Sequence, residues 1–176
     1  LKALGGILTF TNSLMITNNG TLSGWGTVWA TTTVHGTLSP GVGIGVMTNR
    51  GDVTFLAGST AKFEIMTNTT AGAGWDYLCV TNGTLTLGGT LRVQLTGSFM
   101  PTNTESYLIM TNSQALSGVF ANAGNGDSVP VYTNSAGDSV GTFTVTIGGQ
   151  WVTLGGFQDT NSVPSNGPPG SVYYFH

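Results

Sequence analysis

The side chains able to do acid–base chemistry are few. Seven carboxylates stand along the chain, Asp52, Glu64, Asp76, Glu105, Asp127, Asp138 and Asp159, together with His35 and His176. Glycoside hydrolysis needs two carboxyl groups flanking one bond, within about 10 Å of each other. Polysaccharide lyase chemistry needs a base, an acid and a polarising cation in one place. Here the acids stand singly, most of them beside Gly or Ser, where a short carboxylate serves a turn by bonding nearby backbone. Glu64 instead alternates outward on a strand. His35 lies between Val34 and Gly36 with no second His nearby, so neither a nucleophilic triad nor a zinc site can be assembled from its neighbours. Asn125-Gly126-Asp127 resembles a calcium turn, but the Gly-Gly-x-Gly-x-Asp nonapeptide is missing. The expectation is no catalytic residue, no cofactor, no metal, and hence no enzyme.

Other groups could recognise rather than react. Trp25, Trp29, Trp75 and Trp151 offer flat rings on which sugars stack. Trp25 and Trp29 flank one short run and are the candidate glycan contacts, whereas ring packing is the expected role of the others. Arg50-Gly51-Asp52 matches the tripeptide read by animal integrins, but it sits where a turn is expected and reads as structural. Asn19-Gly20-Thr21, Asn68-Thr69-Thr70 and Asn82-Gly83-Thr84 are N-glycan acceptors only in a eukaryotic secretory route. The single cysteine, Cys79, excludes an internal disulfide. Within Tyr77-Leu78-Cys79-Val80 it reads as a small buried hydrophobe.

The whole chain must position these groups with little help from charge. It has 176 residues, of which 6% are charged, and a formal net charge of −3. A typical soluble domain carries roughly 25% charged residues. Gly, Thr, Ser and Asn must therefore supply the wetted surface, which suits a protein that assembles or sits in a surface layer. The four basic residues, Lys2, Arg50, Lys62 and Arg92, are scattered in sequence. Phosphate backbones and anionic membranes bind clustered cations, so neither nucleic acid nor a membrane surface is an expected partner. No apolar run approaches the roughly 20 residues of a spanning helix, so no membrane insertion is expected. With no leader pattern at Leu1-Lys2-Ala3, the chain reads as a mature or excised product.

Short alternating runs fill the sequence, among them Asp52-Val53-Thr54-Phe55-Leu56, Ala61-Lys62-Phe63-Glu64-Ile65 and Thr90-Leu91-Arg92-Val93-Gln94-Leu95. Period two with β-branched residues and Gly or Asn at the edges predicts strands, and no helical period is sustained. Gly-Thr-Leu recurs at 20–22, 36–38, 83–85 and 89–91, the first two 16 residues apart. Gly makes the bend, Thr faces out and Leu faces in, which favours a solenoid of stacked coils. Nine of thirteen Asn residues follow Thr directly, seven of them after an apolar or aromatic residue. This pattern predicts a strand exit, with Asn at the corner in the left-handed conformation.

From Gly36-Thr37-Leu38-Ser39-Pro40-Gly41 onward the sequence resembles the autotransporter-associated β-strand repeat proteins and the β-helical passengers of autotransporter adhesins. Gly51-Asp52-Val53-Thr54-Phe55, Trp75-Asp76-Tyr77-Leu78-Cys79-Val80 and Tyr107-Leu108-Ile109-Met110 follow in the family's order, over roughly residues 20 to 120. The resemblance implies an all-β, right-handed parallel β-helix exported to a bacterial cell surface. On this reading residues 1–120 are solenoid coils. Residues 121–161 are capping strands, with an antiparallel hairpin across Gly148-Gly149, and 162–176 are a linker and terminal strand of the same domain. Val172, Tyr173, Tyr174 and Phe175 are the candidate assembly residues, because an aromatic strand on a linker can add to another copy's sheet. The expected function is an extracellular structural subunit that partners itself in a layer, fibre or filament. A glycan-binding adhesin is the alternative, and a β-helical polysaccharide-active enzyme is the third reading.

Overall fold

The computed structural model describes residues 1–133 and 138–160, and among them every regular element is a strand. The early strands are β1 (Lys2–Ile16), β2 (Thr21–Val34), β3 (Thr37–Pro40), β4 (Val46–Arg50) and β5 (Val53–Phe55). Then come β6 (Thr60–Ile65), β7 (Tyr77–Thr81), β8 (Leu85–Leu87), β9 (Thr90–Leu95), β10 (Ser106–Asn112) and β11 (Leu116–Gly118). The last are β12 (Ser128–Tyr132), β13 (Ser139–Ile147) and β14 (Trp151–Asp159). The protein is all-β, as the period-two runs predict.

The expected right-handed parallel β-helix with a terminal cap is not what forms. All fourteen strands belong to one sheet, and ten of them close into a barrel in the order β2-β3-β6-β9-β12-β13-β14-β10-β7-β4. The ring shuts where Gly26–Trp29 of β2 lies beside Met47–Arg50 of β4. Orientation is mixed. Most pairs are parallel, but β12–β13, β13–β14 and β10–β14 are antiparallel. Strand β1 pairs with β2 outside the ring, and β5, β8 and β11 run as a parallel branch from the end of β2.

Two features explain the difference. Strand β2 is long and carries Gly24 and Gly26 at φ 122° and 119°, values that exclude ordinary L side chains. These bends let one strand pair successively with β3, β4 and β5. At the other end, the hairpin across 148–150 does form, with Gly148 N–H donating to the Trp151 carbonyl at 2.8 Å. It does not merely cover an open end. It joins β12 to β10, and so connects two parallel ladders into a ring.

The interior is packed. Leu22, Leu38, Ala61 and Leu91 follow one another across β2, β3, β6 and β9 in direct register, all buried. The Gly-Thr-Leu units at 20–22 and 36–38 thus lie side by side, as their inward Leu and outward Thr require. Edge-to-face aromatic contacts pin the hairpin end: Trp75–Tyr107 at 5.3 Å, Tyr107–Phe143 at 5.5 Å and the tilted Phe143–Phe157 pair at 5.1 Å. Such pairs add about 0.5–1.5 kcal/mol each beyond their buried area.

The Thr-Asn pairs divide. Asn82 is the single described non-Gly residue with positive φ, at 56°, and fills the corner as expected. Asn49 and Asn112 point inward instead and are buried. Asn49 Nδ2 donates to the carbonyls of Ala30 and Gly51, each at 3.0 Å, and its Oδ1 accepts from the Thr32 hydroxyl at 2.8 Å. An amide can satisfy a bend's backbone from inside the barrel because it carries both donors and an acceptor.

Candidate functional site

The outward faces of β1, β2, β3, β6 and β9 bring together residues far apart in sequence. Lys2 stands opposite Ser23, Ser23 opposite Ser39, and Lys62 opposite Arg92. Leu38 pairs with Ala61, which sets Ser39 and Lys62 at the next position of the same row. Lys2, Ser23, Ser39 and Lys62 share an open groove of about 340 Å³ with Thr21, Thr37 and Glu64. Lys62 Nζ donates to Glu64 Oε1 at 2.8 Å, and both side chains retain some exposure. The Arg92 guanidinium lies 4.4 Å above the Tyr132 ring, a cation–π contact. Three of the chain's four basic residues therefore lie in one row, where the sequence alone shows them scattered.

One wall of the groove is the 41–45 loop, and a buried carboxylate holds it in place. Gly41 exchanges two backbone bonds with Gly24. Asp76 is fully buried and accepts the Gly45 N–H on Oδ1 and the Glu64 N–H on Oδ2, each at 2.9 Å. Burial pushes its carboxyl up to about 8, against the opposing pull of those two backbone donors. Asp76 thus ties the loop to β6 at the start of β7. It has no access to a substrate, so it positions the groove and does no chemistry in it.

The predicted glycan contacts are near one another but differ in availability. Trp25 is 50% exposed and lines a second hollow of about 370 Å³ with Ile44, Gly45, Val46 and Gly72, on the far side of the same loop. Its other face rests on Gly5, where an added Cβ would stand 2.6 Å from the ring. Trp29 is 41% exposed, but the Arg50 guanidinium sits 4.8 Å over its ring. Trp75 is turned inward, donating Nε1–H to the Leu108 carbonyl at 2.9 Å. Trp151 packs over Gly148 in the hairpin turn.

The remaining sequence candidates fall elsewhere. Arg50-Gly51-Asp52 forms a bend whose ends are both engaged. Arg50 covers Trp29, and Asp52 Oδ1 accepts from the backbone and hydroxyl of Thr84 at 2.7 and 3.0 Å. His35 lines a hollow of about 360 Å³ with Met15, Thr17, Asn18 and Asn19. Cys79 is not in the core. It faces outward and is half-buried between Thr48 and Thr111. Among the described residues no three His, Cys, Asp or Glu side chains are grouped to hold a metal ion. Val172, Tyr173, Tyr174 and Phe175 lie outside the described residues.

The cation row escapes a linear reading because its members are separated by bends of unequal length. The signal that finds it is the four-residue step at 20–23, 36–39, 59–62 and 89–92. Aligning Gly-Thr-Leu-Ser, Gly-Thr-Leu-Ser, Ser-Thr-Ala-Lys and Gly-Thr-Leu-Arg puts Ser23, Ser39, Lys62 and Arg92 in one column. No protein-family model matches the chain, and no curated protein is significantly similar to it.

Proposed function

We propose that the chain is a non-catalytic structural protein of the cell exterior that associates with copies of itself. The carrying observation is the free edge of β1. Among the described residues it is the one long strand paired on a single side, and it exposes Leu4, Ile7 and Met15 at more than 60% each. An unpaired row of backbone donors and acceptors is a template for another chain's strand. The far side of the branch is less open, since Leu116 N–H of β11 donates to the Gly149 carbonyl of the hairpin turn. With only 6% of the chain's residues charged, there is also little repulsion between copies. The donor strand we assign is the aromatic segment Val172-Tyr173-Tyr174-Phe175 of a neighbouring copy. The extracellular setting rests on the resemblance to autotransporter-type repeat proteins.

The test compares the full chain with a Leu4→Lys/Ile7→Lys variant and with a chain lacking residues 162–176, by sedimentation and negative-stain microscopy. Leu4 and Ile7 are exposed, so the charged pair spares the interior, and both variants are expected to leave dispersed particles where the full chain assembles. Assembly that survives the charged β1 edge removes the proposal. A glycan-binding role is the second reading, favoured by the exposed Trp25 ring beside its hollow.

A further inference from the structure

We infer that the outward face of β2, β4, β7, β10 and β14 binds a linear, uncharged, β-linked polysaccharide laid over Trp25 at one end and Trp151 at the other. This rests on the glycan-binding reading above and gives it a ligand class and a second ring contact. Register places the face. Thr27 stands opposite Thr48, Thr48 opposite Cys79, Cys79 opposite Thr111, and Thr111 opposite Trp151. These side chains make one row across five strands, about 19 Å along the surface at about 4.8 Å per strand. Val46 and Tyr77, also paired, stand two residues before Thr48 and Cys79 and so share the face. Trp25, two residues before Thr27, adjoins Val46 in its hollow.

Both end rings are held ready. Trp25 is 50% exposed and Trp151 39%, and each lies against a glycine. A Cβ at Gly5 would stand 2.6 Å from the Trp25 ring, and one at Gly148 would stand 2.3 Å from the Trp151 ring. Gly148 does not adopt the left-handed region, so it is the ring that excludes a side chain there. A backed ring loses little freedom on binding. Trp29 is left out, because Arg50 covers its ring.

The ligand class follows from what lies between the rings. Thr27, Thr48 and Thr111 supply hydroxyls that donate and accept, and the Tyr77 and Thr111 hydroxyls are bonded to each other. Neither row holds a carboxylate, Lys, Arg or His. A β-1,4-linked glucan matches this mixture, with C–H groups on its sugar faces for the rings and hydroxyls at its edges. A nucleic acid also stacks on aromatic rings, but it brings phosphates that no cation in these rows would neutralise.

The test is titration calorimetry of the full chain with cellohexaose, cellobiose and an oligogalacturonate. Cellohexaose is expected to bind at least tenfold tighter than cellobiose, which covers one ring only, and to be insensitive to added salt. Trp151→Ala is expected to weaken cellohexaose at least tenfold and to leave cellobiose unchanged. Thr48→Glu keeps both rings and sets a carboxylate in mid-row. With an unchanged melting temperature it is expected to do the same, and it carries the test if Trp151→Ala loosens the hairpin. Equal affinity for the two oligomers, unchanged in both variants, leaves the Trp25 hollow as a glycan site and overturns the extended face. No binding of either oligomer removes the glycan reading together with this inference. Tighter binding of oligogalacturonate, or self-association abolished by Thr48→Glu without any glycan binding, reassigns the face and overturns it as well.

Discussion

Replacing Asn49 with Leu tests whether the buried amide holds the bend between β4 and β5 from inside. The side chain is 1% exposed and satisfies three groups: the Ala30 carbonyl, the Gly51 carbonyl and the Thr32 hydroxyl. Leu has similar bulk and no polar atom, so each partner loses its bond inside the barrel. A buried polar group left unmade costs about 1–3 kcal/mol, and three of them give a loss of about 3 kcal/mol or more. In a chain of this size that lowers the melting temperature by about 6–12 °C. Thr32→Val removes the hydroxyl together with its need for a partner. In the native background it destabilises, whereas in the Asn49→Leu background it is expected to be neutral or to recover part of the loss. Urea unfolding of the four proteins of this cycle gives the coupling, expected at about 1 kcal/mol or more. A loss under 1 kcal/mol for Asn49→Leu, or an equal Thr32→Val penalty in both backgrounds, refutes the reasoning.

Other outcomes follow from the same structure. Phe143→Ala removes a fully buried ring between Tyr107 and Phe157 and is expected to destabilise by about 3–5 kcal/mol in chemical denaturation. Gly24→Ala drives a Cβ into the Ala3 carbonyl at a φ of 122°, so β1 should detach from β2 and become cleavable by limited proteolysis. For Asp76, burial raises the folded-state value from 3.8 to about 8. The group's contribution to stability is therefore full at acid pH and is lost as pH rises through the folded value. Melting temperature should fall between about pH 4 and pH 8, the interval between the unfolded and folded values, and level off above it, and Asp76→Asn should lower it overall while flattening that slope.

How much of this was legible in the sequence depends on how local the cause is. Strand identity is local, and the alternation in Ala61-Lys62-Phe63-Glu64-Ile65 placed Phe63 inward and Glu64 outward as observed. The hairpin across Gly148-Gly149 was equally legible, because turn residues and flanking β patterns are neighbours. Its consequence was not. Whether β13 and β14 cover an end or join β12 to β10 depends on pairings that no short pattern encodes. The Thr-Asn motif shows the same limit: corner chemistry describes Asn82, but Asn49 turns inward because Ala30 and Gly51 need a donor there. The cation row required knowing which bends align, and charge counted along the chain hides it.

The most direct test of the proposed assembly is amide hydrogen exchange on assembled and dispersed samples of the full chain, read at β1. Strand addition predicts that amides of residues 2–16 pointing away from β2 exchange freely when dispersed and become protected on assembly. Assemblies in which those β1 amides exchange as fast as in the dispersed protein would contradict it, and would place the contact between copies elsewhere.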